Sequence, residues 1–360
     1  MKEAKQHLRV RSVATRVSPR AITRLRNALR RRSGRRELDS ATNQCRSESA
    51  FAESVSHQLI RDHRSSVHRL TTGVLEIAYE TGGPADGPAV LLLHGWPDDV
   101  RGFRAITPLL EAAGYRWVAP WLRGFGPTRF LSADTIRDGS GVALAKDAID
   151  VADALGLAMF SVVGHDWGAR TAYTIASLWP ARLRSIVTLA LAYSPGGRFP
   201  TPSFEQSQRW WYQWFMATDR GASAVRAKPV EFALQQWKTW SPMGWFTRSE
   251  FEATAKSFTN SDWTAITLHG YRSRWKAERN DERYSELRSR LAGVECLCTP
   301  TLMIQGGADA CDPPSESEEQ SQYFAGPYTR VLLEGVGHFP AREAPHEVAD
   351  NILTHLKAFN

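Results

Sequence analysis

The stretch Val162-Val163-Gly164-His165-Asp166-Trp167-Gly168-Ala169 sets one carboxylate where chemistry is expected. Ahead of it, Phe160 to Val163 is an apolar run of strand length. Behind it, Ala169 to Trp179 has helical spacing and stops at Pro180. Asp166 therefore stands at the apex of a strand–turn–helix, between two glycines that leave room for a sharp turn. A carboxylate there is an anion at neutral pH, and the helix N-terminus behind it favours that form. It suits attack on an electrophilic sp3 carbon, which leaves an alkyl ester on the protein. The competing reading is structural, because an aspartate ahead of a helix is also a good N-cap.

Positioning such a carboxylate takes a scaffold, and the chain supplies one. Val74 to Glu80 alternates apolar and polar residues, as a half-buried strand does. Ala89 to Leu93 is continuously apolar and reads as a strand buried on both faces, ending in His94-Gly95-Trp96-Pro97. A helix is expected over Phe103 to Ala113, stopped by Gly114. The next strand runs from Tyr115 to Pro120 and leads into Arg123-Gly124-Phe125-Gly126-Pro127-Thr128. Ala143 to Leu157 is helical, and Ser185 to Ala192 follows the Asp166 helix as a strand. After an interruption the alternation resumes. Thr301 to Gln305 is a strand, Ser315 to Phe324 is expected to be helical, Thr329 to Leu333 is a strand, and Pro345 to Phe359 is a helix. Strands alternating with helices predict a mostly parallel sheet flanked by helices.

The interruption, roughly Ser194 to Cys298, holds Trp210, Trp211, Trp214, Trp237, Trp240, Trp245, Trp263 and Trp275, eight of the chain's 13 tryptophans. Its spacing is helical. It reads as a helical cap over the C-terminal edge of the sheet, where open α/β sheets bind ligands. Most of these indoles are expected to pack cap on core, with a few lining an apolar cavity. The boundaries expected are a basic tail over 1–65, core over 66–193, cap over 194–298 and core again over 299–360.

Charge separates the tail from the rest. Residues 1–50 carry 14 Lys/Arg against 4 Asp/Glu, whereas the other 310 carry 31 against 34, so the overall +7 belongs to the tail. That segment has no long apolar run, and its composition predicts disorder. Ala21 to Leu29 could form a basic amphipathic turn on an acidic partner, yet the near-neutral body argues against a nucleic-acid protein. No run approaches the roughly 18 apolar residues that span a bilayer. Cys45, Cys296, Cys298 and Cys311 lack paired zinc spacing and are expected to be reduced thiols, in keeping with a cytoplasmic protein.

Taken together, His94-Gly95-Trp96-Pro97, Arg123 to Thr128, Gly164-His165-Asp166-Trp167-Gly168, Gly306 to Asp309 and Gly337-His338 resemble the α/β-hydrolase fold, in its epoxide hydrolase and haloalkane dehalogenase branch, over about residues 66–360. The resemblance implies that Asp166 is the nucleophile, His338 the base that activates water, and Asp309 its carboxylate partner, with Asp312 a rival for that place. It implies an oxyanion hole from the backbone N–H groups of Trp96 and Trp167. His94 and Arg123 read as supports of their loops.

The leaving group divides the readings. An epoxide needs an acid for its oxygen, and epoxide hydrolases use two cap tyrosines. Tyr271 matches one of these. For the other, the closest register over Trp211-Tyr212-Gln213-Trp214-Phe215 puts Trp214 at the tyrosine position, with Tyr212 two residues away. A halide would instead need indole donors, with Trp167 and Trp214 as candidates. Arg170, one helical turn after Asp166, could hold part of a substrate carboxylate as in haloacid dehalogenases, or be a surface charge. The resemblance therefore implies a hydrolase without cofactor or metal, monomeric or homodimeric, acting on a small apolar organic substrate and water and opening an epoxide to a diol. Alternatives are a haloalkane or haloacid dehalogenase and a non-catalytic ligand-binding homologue.

Overall fold

The computed structural model describes residues 66–359, and the expectations for the tail lie outside them. The described chain builds one nine-stranded sheet. It begins with β1 (His68–Thr71) and β2 (Leu75–Gly82), and continues through β3 (Ala89–Leu93), α1 (Thr107–Ala112), β4 (Arg116–Pro120), the two-residue β5 (Arg129–Phe130) and α2 (Gly141–Ala154). Then come β6 (Phe160–His165), α3 (Trp167–Leu178) and β7 (Leu183–Leu189). The helices α4 (Phe204–Arg209), α5 (Trp211–Ala217), α6 (Asp219–Ala227), α7 (Pro229–Thr239), α8 (Arg248–Ala255), α9 (Trp263–Arg272) and α10 (Ser285–Ala292) follow before the sheet resumes. β8 (Thr301–Gly306), β9 (Tyr328–Leu333) and α11 (Pro345–Phe359) close the chain.

The strand order is β1-β2-β4-β3-β6-β7-β8-β9, with β5 on β2. Pairing is antiparallel from β1 to β4 and parallel from β4 to β9. The central strands are buried along their whole length, Ala89 to Leu93 and Phe160 to His165 alike, which accounts for the unbroken apolar run of the first. β1 lies at the sheet's edge and is mostly exposed, so its sequence carries no core pattern.

Two expected helices change form. The stretch expected as one helix over Phe103 to Ala113 is a 3-10 turn, Val100–Phe103, followed by α1; Pro108 sits in the first turn of α1, where a missing N–H costs nothing. Ser315 to Phe324 is not an α-helix. It forms two 3-10 turns, Pro314–Ser317 and Gln320–Tyr323, because Glu319 adopts a left-handed conformation with φ 53° that a helix cannot pass through.

The helices between β7 and β8 close over the C-terminal ends of the parallel strands. Trp237 Nε1 donates to Pro97 O at 2.7 Å, Trp96 Nε1 to Thr267 Oγ1 at 3.0 Å, and Asn260 Nδ2 to Gly126 O and Thr128 O at 2.9 and 2.7 Å. The insert is thus tied to the loops that follow β3 and β4.

Candidate active site

Asp166 sits between β6 and α3 with φ 49° and ψ −110°, a strained conformation for a residue with a side chain. Its side chain makes no capping bond to α3, so the N-cap reading fails. The strain is held by close backbone packing. A Cβ on Gly168 would come 1.8 Å from Leu93 O, and one on Gly164 would come 2.2 Å from Gly168 O. Only glycine lets β3, β6 and α3 approach so closely.

The carboxylate then meets groups from three other strand ends. Trp96 N–H, after β3, donates to Asp166 Oδ1 at 2.8 Å. Trp167 contributes the first backbone N–H of α3, a position that has no intrahelical acceptor. Asp166 Oδ2 lies 3.7 Å from His338 Nε2, which belongs to the loop after β9. His338 Nδ1 lies 2.8 Å from Asp309 Oδ2, in the loop after β8. Asp309 Oδ1 accepts from the backbone N–H groups of Cys311 and Asp312 at 2.8 and 2.9 Å. The carboxylate beside His338 Nδ1 is therefore Asp309, while Asp312 accepts from Trp210 Nε1 at 3.3 Å.

All three groups are buried. Burial alone would push the Asp166 carboxyl up, but His338 and the Trp96 N–H outweigh it and hold the group below its ordinary range. Burial likewise pulls His338 down, and the charges of Asp309 and Asp166 reverse this, leaving the imidazole well above its ordinary value. Asp312 is pushed up to about 7 by burial and by the neighbouring Asp309 charge.

Several residues that position His338 carry no sequence signal. His165 Nε2 lies 2.7 Å from the His338 carbonyl oxygen, and Ser241 Oγ accepts from His338 N–H at 2.8 Å. Glu343 clasps the same loop, accepting from the N–H groups of Gly337 and Phe339 at 2.7 and 2.9 Å. His94 and Arg123 support their loops. His94 Nε2 accepts from Leu122 N–H at 3.1 Å, and Arg123 holds Asp147 through two bonds of 2.6 Å.

Opposite Asp166 stand two tyrosines from the inserted helices. Tyr212 of α5 and Tyr271 of α9 pack edge to face with ring centroids 5.3 Å apart. The Trp96 ring stacks on Tyr212 at 5.7 Å and meets Tyr271 edge-on at 4.9 Å. Burial pushes both phenols well above their ordinary value, and the Asp166 charge adds to it, most for Tyr271. Each oxygen accepts an N–H. Gln213 Nε2 donates to Tyr212 Oη at 3.1 Å, and Trp167 Nε1 donates to Tyr271 Oη at 3.2 Å. A hydroxyl whose oxygen accepts keeps its own hydrogen free to donate elsewhere.

A family model for the α/β hydrolase fold matches residues 88–345, well over half of the chain. The chain belongs to the α/β-hydrolase fold family. Among curated proteins it is 26% identical over 322 residues to epoxide hydrolase A of Mycobacterium tuberculosis, covering 79% of this chain and 95% of that one. It is 25% identical over 317 residues to an epoxide hydrolase of Caballeronia sordidicola, covering 80% and 95%. The crystal structure of an epoxide hydrolase candidate from Klebsiella pneumoniae superposes with a TM-score of 0.77 at 36% identity, covering 81% of this chain and 97% of that one.

Within this α/β-hydrolase the expected site residues part company. Asp166, His338, Asp309, Trp96, Trp167, Tyr271 and Tyr212 converge. Trp214 does not, which corrects its expected place in the site: its Nε1 donates to Ser207 O at 3.1 Å and its ring packs on Trp275 at 4.2 Å. The short helix α5 turns Tyr212 and Gln213 inward, and Trp214, further round, faces another part of the cap. Arg170 is not a surface charge either. It is half-buried, with its guanidinium 4.5 Å from the Phe199 ring.

Cys311, Asp312 and His338 offer atoms within 4.8 Å of one another. This set does not suit a metal ion. The remaining nitrogen of His338, Nε2, faces Asp166 Oδ2 at 3.7 Å, and burial raises the Cys311 thiol well above its ordinary value, away from the thiolate a metal requires. Among the described residues no helix is long and apolar enough to cross a membrane.

Proposed function

We propose that this α/β-hydrolase opens epoxides to vicinal diols through an ester on Asp166. Oδ1 of Asp166 is held by the Trp96 N–H, which leaves Oδ2 to attack. As Oδ2 bonds to a ring carbon, the carbon–oxygen bond of the epoxide breaks. The ring oxygen takes a proton from Tyr271 or Tyr212. His338 Nε2 then removes a proton from water, which attacks the ester carbonyl. The negative charge developing on Oδ1 faces the backbone N–H groups of Trp96 and Trp167. Collapse releases the diol, whose oxygen takes the proton from His338, and the proton left on Asp166 returns to the tyrosinate.

The observation that carries this reading is the pair of phenol oxygens, each already accepting an N–H, so that the Tyr271 hydroxyl, and the Tyr212 hydroxyl on leaving its 3.6 Å contact with Cys311 Sγ, can donate toward a leaving oxygen. The names of the relatives point the same way. A small organic epoxide and water are the expected reactants.

The dehalogenase reading loses two of its donors, since Trp167 Nε1 is engaged by Tyr271 and Trp214 Nε1 by Ser207. It rests on Trp240, whose buried Nε1 has no partner and whose ring packs 4.8 Å from His338. Single turnover with styrene oxide in 18O-water tests the choice. The expected result is label in the Asp166 carboxylate and unlabelled oxygen in the first diol. Proton release from chloroalkanes without diol formation from any epoxide would overturn it.

A further inference from the structure

Beside Trp167 lies a cleft of about 230 Å³. The first turn of α2, Arg170 of α3, the Gly196–Gly197 turn with Phe199, and Arg274 just past α9 line it. No acidic side chain faces into it. Two cations do. Arg170 Nε is buried, and the guanidinium has neither an ion pair nor a hydrogen bond among the described residues. Arg274 uses Nε on Gly270 O at 3.0 Å and one Nη on Gln213 Oε1 at 3.4 Å, and it likewise meets no carboxylate among the described residues. Both guanidinium groups rest on the same ring, 4.5 and 4.6 Å from the centroid of Phe199.

Two like charges brought together and half-buried without a counter-charge oppose folding. Several arginines elsewhere are paired, although Arg184 also buries an unpartnered Nε. Arg123 is paired with Asp147, Arg342 with Asp98 and Arg272 with Glu278. Arg288, at the rim of the cleft, lies 3.6 Å from Asp138. Asp138 is itself engaged by the backbone N–H groups of Ser140 and Asp281, at 2.8 and 3.0 Å. What remains toward the cleft is positive, and the N-terminal turn of a 14-residue helix adds its partial positive charge.

We propose that this cleft binds a carboxylate between the guanidinium groups of Arg170 and Arg274. A planar fork of donors matches a planar carboxylate. Phe199, Val142 and Leu144 offer an apolar wall for the body that carries it. This goes beyond the epoxide reading and does not depend on it. The carboxylate can come from the substrate, as in an epoxy acid, or from a separate small acid, and the two sources are experimentally separable. Burial and the neighbouring Arg274 push Arg170 down to about 10, against the weaker pull of the Asp166 and Asp312 charges.

Calorimetric titration of the full chain with benzoate, and with benzamide as the neutral isostere, tests the site. Benzoate is expected to bind at least about tenfold tighter than benzamide, and Arg170→Met and Arg274→Gln each to remove that preference. Equal binding of the two probes, or benzoate binding that survives both variants, overturns the proposal. Stability gives an independent readout. In buffer free of carboxylates Arg170→Met should raise Tm by about 2–4 °C, because it relieves an unpaired charge. A lowered Tm would make Arg170 a structural support and overturn the proposal. With binding shown, the ratio of kcat/KM for para-carboxystyrene oxide to that for styrene oxide identifies the source. A ratio that falls at least about tenfold in Arg170→Met assigns the carboxylate to the substrate, and an unchanged ratio assigns it to a separate acid. Turnover of neither epoxide refutes the epoxide reading and leaves the binding result intact.

Discussion

The two walls of the candidate site are built differently. On the sheet side, Asp166, Asp309 and His338 are fixed by main-chain contacts: a left-handed φ locked by Gly164 and Gly168, two N–H donors on Asp309, and the Ser241 and Glu343 bonds around the His338 loop. On the cap side, Tyr212 and Tyr271 are fixed by other side chains, Gln213, Trp167 and the stack of aromatic rings about Trp96. The sheet wall is positioned by backbone geometry that few sequences can satisfy. The cap wall is positioned by packing that many sequences could supply. The first should therefore fail abruptly on substitution and the second by degrees.

The largest effect expected is on the sheet wall. Asp166→Asn removes the anion and should lower kcat/KM for an epoxide by about 10⁴-fold or more, read by diol formation. His338→Gln should spare alkylation and block the second step. Mass spectrometry should then find the protein heavier by one substrate after a single turnover. An unmodified His338→Gln protein would mean that the two steps do not divide between these residues.

The cap wall should respond more mildly. Tyr271→Phe and Tyr212→Phe are each expected to slow ester formation, and the double variant to lose about 10²–10⁴-fold. Equal losses in one single variant and in the double would assign the proton to one phenol alone. Gln213→Leu should cost only roughly three- to tenfold, the worth of one neutral hydrogen bond. A loss as large as that of Tyr212→Phe would show that the amide does more than orient the phenol.

The smallest and most diagnostic effect is on pH. His338 is raised in the resting protein by two carboxylates, and esterification of Asp166 removes one of those charges. The acid limb of kcat, which requires neutral His338 in the ester, should therefore lie at lower pH than the titration of His338 in the free protein by NMR. Activity falls as pH drops through that limb. Coincidence of the two values would argue that Asp166 does not carry the substrate.

The fold and the sheet wall were largely legible in the sequence. Ala89–Leu93 and Pro345–Phe359 have their expected bounds, and the glycines about Asp166 declared a sharp turn. These features are local. An apolar run buried on both faces, or a turn that tolerates no side chain, is set by neighbours in the chain. The misreadings lie where the determinants are not local. Glu319 breaks an expected helix through a backbone conformation that composition does not reveal.

What the sequence determined by itself was the chemistry on offer: an anionic carboxylate at an apex, an imidazole and its acid in later loops, and an insert rich in indoles. Only the tertiary structure decided which acid met the imidazole and which tyrosine faced Asp166. It chose Asp309 over Asp312 and Tyr212 over Trp214. It also left Arg170 and Arg274 on one ring without a counter-charge. The physical reason is that strand ends are fixed by alternation and glycine spacing along the chain. The facing of one helix toward a distant loop depends on how whole surfaces interlock, and residues adjacent in sequence, such as Gln213 and Trp214, can be turned to opposite tasks.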